Sequence, residues 1–172
     1  GDTPRPLYGL DRLAARPDAP VLIAEGEKAA DAAGEHLPDF VAVTWMGGTN
    51  ATRKTDWAPL KGRRVIVWPD ADEPGRKAAA DIIQRLTGLA AELAQITSPE
   101  GKPEGWDAAD ATQEEARQLL ESAKAPAPSL PYGFKRKHGG IWYQDPADEQ
   151  EREHWVCSDL EINALTRDHR NE

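Results

Sequence analysis

Two aspartates one residue apart, Asp70-Ala71-Asp72, follow the apolar run Val65-Ile66-Val67-Trp68, and Gly75 stands three residues beyond them. Carboxylates this close repel unless a proton or a divalent cation neutralises them. Hard oxygen donors of this kind favour Mg²⁺ or Mn²⁺ over zinc. Asp-x-Asp alone is also an ordinary turn and helix-capping pattern. Two more acidic elements weigh towards chemistry. Glu25-Gly26-Glu27 ends a second apolar run, Val21-Leu22-Ile23-Ala24, and Asp107-Ala108-Ala109-Asp110 lies downstream. Three separate strand ends or loops thus each deliver carboxylates.

The elements that must position these acids are short. Apolar runs of four to eight residues flanked by charge read as strands buried on both faces, as in parallel sheets. Such sheets bind ligands at the carboxyl ends of their strands. Strands are expected at 21–24, 40–45, 65–68 and 89–96. Helices are expected at 8–16, 28–36 (stopped by Pro38), 76–87 (Ala79, Ile82, Ile83 and Leu86 on one face, Gly88 beyond the end) and 112–123. Residues 51–60 read as a polar helix or loop. The class is α/β, with about four mostly parallel strands flanked by helices. The expected division is a catalytic domain over 1–123, a Pro-rich linker over 124–131 and a short β-rich extension over 132–172.

Several other residues have types suited to phosphate. Gly47-Gly48 lets a turn bring its backbone amides close to an anion, or simply supplies a β-α turn with positive φ. Arg53, Lys54, Lys61, Arg63, Arg64, Arg76 and Lys77 make a locally basic window around the paired aspartates. A charge run is ordinarily a solvated face, but one beside an acid cluster fits phosphate-backbone contact. Lys28, at a helix start just after Glu25, either steadies a phosphate or is an exposed helix lysine. Glu25 itself either stabilises that helix N-terminus or acts in chemistry. Asp110 either belongs to the acidic site or helps start the helix that follows.

Composition narrows the class. The net charge of −9 argues against holding nucleic acid by bulk charge. One cysteine, Cys157, excludes a disulfide framework and a cysteine zinc ribbon within these 172 residues, and suits a reducing cytosol. No run approaches the ~18 apolar residues of a membrane span, and no basic-then-apolar leader is found, so a soluble, cytoplasmic protein without membrane partners is expected. No Gly-x-x-x-x-Gly-Lys-Ser/Thr phosphate loop occurs.

Glu25-Gly26 after one strand and Asp70-x-Asp72-x-x-Gly75 after another resemble the Toprim domain of bacterial-type DNA primases, type IA and II topoisomerases and some nucleases. The fuller wording is Glu25-Gly26-Glu27-Lys28-Ala29-Ala30-Asp31, Gly47-Gly48-Thr49, Trp68-Pro69-Asp70-Ala71-Asp72 and Trp106-Asp107-Ala108-Ala109-Asp110. It resembles the Toprim modules of phage and plasmid primase-helicases over about residues 5–123. The resemblance implies a Rossmann-like Toprim fold and Mg²⁺- or Mn²⁺-dependent nucleotidyl transfer for primer synthesis in DNA replication. It implies that Glu25 is a general acid or base and that Asp70, Asp72, Glu25 and Asp107 hold metal, with Asp31, Asp110 and Gly75 as further candidates. Its implied partners are a single-stranded DNA template, NTPs, and helicase and zinc-binding domains of a longer protein. The tail resembles the opening of the domain that leads into the helicase part. Alternatives are a Toprim nuclease of the overcoming-lysogenization-defect type and an inactive metal- and nucleic-acid-binding module. A topoisomerase fits less well, since Tyr8, Tyr132 and Tyr143 lack an identifying context.

Overall fold

The structure is a computed structural model, and it describes residues 3–126, 134–137, 140–144 and 153–158. Four strands, β1 (Val21–Ala24), β2 (Val41–Val43), β3 (Arg64–Trp68) and β4 (Glu92–Gln95), pair in parallel in the order β2-β1-β3-β4. Alternate strand residues face opposite sides. Val21, Ile23, Val65 and Val67 pack with Leu13, Ala79, Ile82 and Leu86. Leu22, Ala24, Ile66 and Trp68 pack with Ala29, Ala33, Leu37, Ala116 and Leu119. Helices α1 (Leu10–Ala15) and α3 (Glu73–Leu86) therefore cover one face, and α2 (Glu27–His36) and α4 (Gln113–Ser122) the other. Each aliphatic side chain buried this fully contributes about 1.5–3 kcal/mol, so the apolar runs fix the sheet as the middle layer.

The expected α/β class with four parallel strands is what forms. Element ends differ for local reasons. β2 stops at Val43 because Tyr8 takes over the pairing beyond it, its N–H donating to the Thr44 carbonyl at 2.9 Å. β4 starts only at Glu92, since the N–H groups of Leu89 and Ala90 donate back to the Leu86 carbonyl, each at 2.9 Å. α3 starts at Glu73, not Arg76. The Asp72 side chain caps it by accepting from the Gly75 N–H at 2.6 Å, and Pro74 sits in its first turn. α4 is started by a capping box between Thr112 and Glu115, so Asp110 is not its cap. Residues Thr49–Lys54 and Ala58–Leu60 form two 3-10 turns where a helix or loop was expected.

The chain divides into two compact units, 1–126 and 127–172. In the second, β5 (Phe134–Lys137), β6 (Gly140–Gln144) and β7 (Glu153–Ser158) form an antiparallel sheet in that order, which supplies the β-rich extension. At the expected linker, Lys124 forms a bridge with Gln95; residues 127–131, and Tyr132-Gly133 of the expected first hairpin strand, lie outside the described residues. Among the described residues no helix is long and apolar enough to cross a membrane.

Arg63 is a fold element, which corrects its place among the phosphate contacts. Its guanidinium donates to the carbonyls of Leu13 (3.3 Å), Arg16 and Ala19 (2.8 Å), clamping the end of α1 to the start of β3. Burial pushes its pKa down from the usual arginine value. Charged hydrogen bonds are worth about 1.5–3 kcal/mol each before desolvation is counted. Arg63→Met should therefore lower stability in urea by about 1–3 kcal/mol and leave divalent-cation binding unchanged; an unaltered unfolding midpoint would remove this structural role.

Candidate functional site

All four parallel strands end on one edge of the sheet. The chain moves outward from β1 to β2 in one direction and from β3 to β4 in the other, so the strand order reverses between β1 and β3. That reversal opens the crevice in which open α/β sheets take ligands. Ala24 is in register with Trp68, so Glu25 and Asp70 leave adjacent strands at the mouth of this crevice.

Asp70 is the centre of the site. Its Oδ1 is buried and has no hydrogen-bond partner among the described residues. Burial pushes its carboxyl up from 3.8 to about 7, and the charges of Glu25, Asp107, Asp72 and Asp110 add to the rise in that order. The acids that follow β1 and β3 thus meet those of the 107–110 loop around one side chain.

Local chemistry fixes each contributor. At Glu25, which is half-buried, the chain turns through Gly26 at φ 83°, a region open to glycine. The Gly26 N–H donates to Thr44 Oγ1 at 3.0 Å, and Thr44 is wholly buried. Asp72 Oδ1 caps α3, while its Oδ2 faces Gly105, where a Cβ would stand 3.9 Å away. Asp107 Oδ1 accepts from the Ala109 N–H at 2.6 Å, and the Asp107 N–H donates to Asp110 Oδ2 at 3.3 Å. This loop is tied to the paired aspartates by the Ala71 N–H, which donates to the Trp106 carbonyl at 2.9 Å. Trp106 also packs against Trp68, with ring centroids 6.2 Å apart. Lys102 lies 4.6 Å over the Trp106 ring and pairs with Glu115 at 2.6 Å.

Gly75 serves the site through space. A Cβ there would come within 2.7 Å of the Asp70 carbonyl oxygen and 3.0 Å of its nitrogen. Only a glycine lets the first turn of α3 pack this closely on the Asp70 backbone.

The remaining candidates are dispersed. Arg64 pairs with Glu92 at 3.4 Å, at the start of β3 and so at the sheet edge opposite the acids. Arg53 and Lys54 are exposed on the 3-10 turn. Arg76 and Lys77 project from the early turns of α3 and both pair with Glu73, at 3.2 and 3.4 Å. Lys28 is exposed on the first turn of α2. Gly47 and Gly48 turn the chain after β2, and the Gly48 carbonyl accepts from Trp45 Nε1 at 2.9 Å. Asp31 binds away from the crevice: both its oxygens accept from the Tyr8 hydroxyl, and Arg12 pairs with it at 2.8 Å. It joins α1 to α2, which corrects its reading as a site acid. Sequence reasoning quoted Trp106 as part of an acidic motif without giving it a role, and it overlooked Thr44 and Lys102, which nothing local marked.

The donor set suits a hard cation. Among the described residues no three of His, Cys, Asp and Glu form a ready-made metal cage. Mg²⁺ does not require one: it is bound through one or two carboxylates, retained waters and substrate phosphates. The unpartnered oxygen of Asp70, crowded by like charge, fits such a cation.

The family model of a domain of unknown function, DUF6371, matches residues 2–71, a span that contains both Glu25 and Asp70. No curated protein matches the sequence. Solved structures with similar folds include a DnaG primase catalytic domain bound to single-stranded DNA (TM-score 0.47, 21% identity), a DNA primase domain from Pseudomonas aeruginosa (0.47, 19%) and the E. coli primase catalytic core (0.47, 21%). Each match covers 69% of this chain and 39% of the other, so the chain spans about two fifths of those structures' length.

Two expectations follow. A carboxyl whose pKa is raised on folding adds stability below its unfolded value, near 4, and loses it as pH rises through about 7. In the absence of divalent cations, Asp70→Asn should therefore melt several degrees above the parent at pH 8, with the gap closing towards pH 4.5; a gap independent of pH would contradict the burial of Asp70. Gly75→Ala should cost about 1–3 kcal/mol and weaken Mn²⁺ binding by displacing Asp70, both readable by calorimetry. Parental values for both would show that the close approach does not matter.

Proposed function

We propose that residues 1–123 are a Toprim-type module of a DNA primase, acting in divalent-cation-dependent nucleotidyl transfer. The observation that carries this reading is Asp70, with one oxygen buried and unpartnered among the described residues and its pKa driven up by Glu25, Asp107, Asp72 and Asp110. The motif order along the chain, Glu25-Gly26, then Asp70-x-Asp72, then Asp107-x-x-Asp110, supports the same reading. Asp70 and Asp72 would hold Mg²⁺ or Mn²⁺, with Glu25 and Asp107 completing the acidic wall. Bound there, the cation would supply neutralisation of the transferring phosphoryl group and acidify the attacking hydroxyl.

The chain's own residues do the rest. Glu25, fixed at the strand end by the Gly26–Thr44 hydrogen bond, takes up or returns the proton of the reacting hydroxyl. Asp72 has one oxygen committed to capping α3 and presents the other to the crevice. Asp107 is held by the Ala109 N–H, which donates to its Oδ1. The Trp106–Trp68 contact and the Ala71–Trp106 hydrogen bond tie the two acidic loops together. A single-stranded DNA template and NTPs are the proposed substrates. Helicase and zinc-binding domains are the proposed partners within a longer phage- or plasmid-type protein, and the cytoplasm is the proposed location. Residues 132–172 are then the beginning of the domain that follows the 124–131 linker.

Calorimetry with Mn²⁺ tests the cation site. Asp70→Asn and Asp72→Asn should each weaken binding, from a parental affinity in the range of about tens of µM to mM. Because the cation must displace the Asp70 proton, parental affinity should also rise between pH 6 and pH 8. Unchanged affinity in both variants ends the assignment. Primer synthesis on single-stranded DNA, set beside nicking of a supercoiled plasmid, tests the reaction: Glu25→Gln should suppress synthesis far more than it weakens Mn²⁺ binding. Nicking without synthesis would instead favour the phosphodiester hydrolase.

A further inference from the structure

β2 is an edge strand, and α1 and α2 pack against it from opposite faces of the sheet. Between the two helices a cavity of about 580 Å³ opens over the outer edge of β2, with residues 40–42 along its floor. Its size is that of ordinary ligand sites, roughly 300–1,000 Å³. Glu25, Asp70, Asp72 and Asp107 take no part in its lining.

The floor holds an unmet donor. Backbone groups of successive strand residues point to opposite edges. The Val41 N–H donates inwards, to the Pro20 carbonyl at 2.8 Å, while Thr44 exchanges both its backbone bonds with Tyr8 on the outer side, at 2.9 and 3.4 Å. Ala42, two residues before Thr44, therefore turns its N–H outwards, where nothing among the described residues accepts from it. Its carbonyl is covered by Gly9, at which a Cβ would stand 2.9 Å from the oxygen. Ala42 is only 2% exposed, so its N–H depends on what occupies the cavity.

The walls carry opposite charge. Arg12 and Arg16 line the cavity from α1 and its end, and Asp31 and Glu35 from α2. Arg12 and Asp31 neutralise each other at 2.8 Å. Arg16 and Glu35 form no ion pair among the described residues. The Arg16 guanidinium donates instead to the carbonyls of Pro38 (2.9 Å), Asp39 (3.0 Å) and Phe40 (3.2 Å). These bonds occupy three of an arginine's five N–H donors and fix the group without cancelling its charge. A placed cation and a backbone N–H suit the two oxygens of a carboxylate; the acid on the facing wall suits an ammonium. Size decides what carries them. Tyr8 already pairs at the Thr44 end of the edge and Arg16 covers the Phe40 carbonyl at the other, so an added peptide strand has room for one residue only.

We propose that this cavity binds a free α-amino acid with an apolar side chain, its carboxylate on Arg16 and the Ala42 N–H, its ammonium on Glu35, and its side chain against the apolar lining between α1 and β2. The site shares no residue with the acidic crevice, so it stands whether or not the crevice holds a cation.

Titration calorimetry on the full chain tests this with L-leucine and L-phenylalanine, each set beside its amide and its N-acetyl derivative. At least one of the free amino acids should bind, with Kd of about 10 µM to 1 mM, and its two derivatives, each lacking one charge, at least about tenfold more weakly. Arg16→Gln and Glu35→Gln should each weaken it at least about tenfold. Ala15 is exposed on α1 and lines the cavity; Ala15→Leu fills the space without removing a charge, and should abolish binding while keeping the thermal midpoint near the parent's. In NMR spectra the amide signal of Ala42 should move as the amino acid is added, and stay in place in Ala15→Leu. Asp70→Asn should bind the amino acid as the parent does. The proposal is overturned if neither free amino acid binds, if a derivative binds as tightly as its parent compound, if Glu35→Gln and Ala15→Leu both keep parental affinity, or if the Ala42 signal ignores a bound amino acid.

Discussion

Asp70 combines two unfavourable conditions: a carboxylate oxygen withdrawn from water with no donor to meet it among the described residues, and the field of four other acids. Each condition opposes ionisation, and near neutral pH the side chain sits at the balance point between its two forms. A protein does not keep such a group in place unless the surroundings over-determine its position. Here they do so through parallel pairing of β3 with both β1 and β4, through the glycine that lets α3 press against the Asp70 backbone, and through the Trp106 carbonyl that receives the Ala71 N–H. None of these contacts neutralises the charge. They fix the position and leave the electrostatic demand unmet, the condition in which a cation or a proton is held most firmly.

The same elements explain why the site lies where it does. Two cores, one on each sheet face, are built from the alternate residues of the same short strands. A strand buried on both faces can place a polar side chain only beyond its end. Glu25 and Asp70 stand at those positions on neighbouring strands, and the reversal of strand order opens the gap in front of them. Trp68 closes the floor: it is fully buried and packs on Trp106. The third acidic loop is thereby anchored to the core and does not merely pass near it.

Much of this was legible in the sequence because it depends on local patterns. Apolar runs with an acid at the exit gave the strands and the placing of Glu25 and Asp70 beyond their ends, and the spacing of Ala79, Ile82, Ile83 and Leu86 gave the buried face of α3. What could not be read were contacts across the fold. Arg63 and Arg64 look like continuous basic sequence with the residues around the aspartates, yet a strand of five residues carries them to the far edge, where Arg63 clamps α1. Asp31 lies six residues past Glu25 in an acidic stretch, but the helix that begins between them turns it towards Tyr8 and Arg12. Gly75 was noticed for its place in a motif, and its physical reason, the proximity of the Asp70 backbone, appears only in three dimensions. Lys102 comes from a Pro- and Gly-rich loop whose sequence says only that it is a loop.

The distribution of charge then bears on how an acidic chain could meet a polyanion. With a net charge of −9, long-range attraction to nucleic acid is not available to the chain as a whole. Several of its cations are tied to local partners: Arg12 to Asp31, Arg64 to Glu92, and Arg85 to Asp81. The cations beside Asp70, Arg76 and Lys102, are likewise paired, with Glu73 and Glu115. A phosphate beside Asp70 would face the carboxylate's charge unless a cation or a proton removed it. On the proposed reading, affinity for an anion there would be coupled to cation occupancy, each ligand lowering the electrostatic cost of the other. Recognition of phosphate would then be a property of the cation-loaded crevice and not of the surface charge.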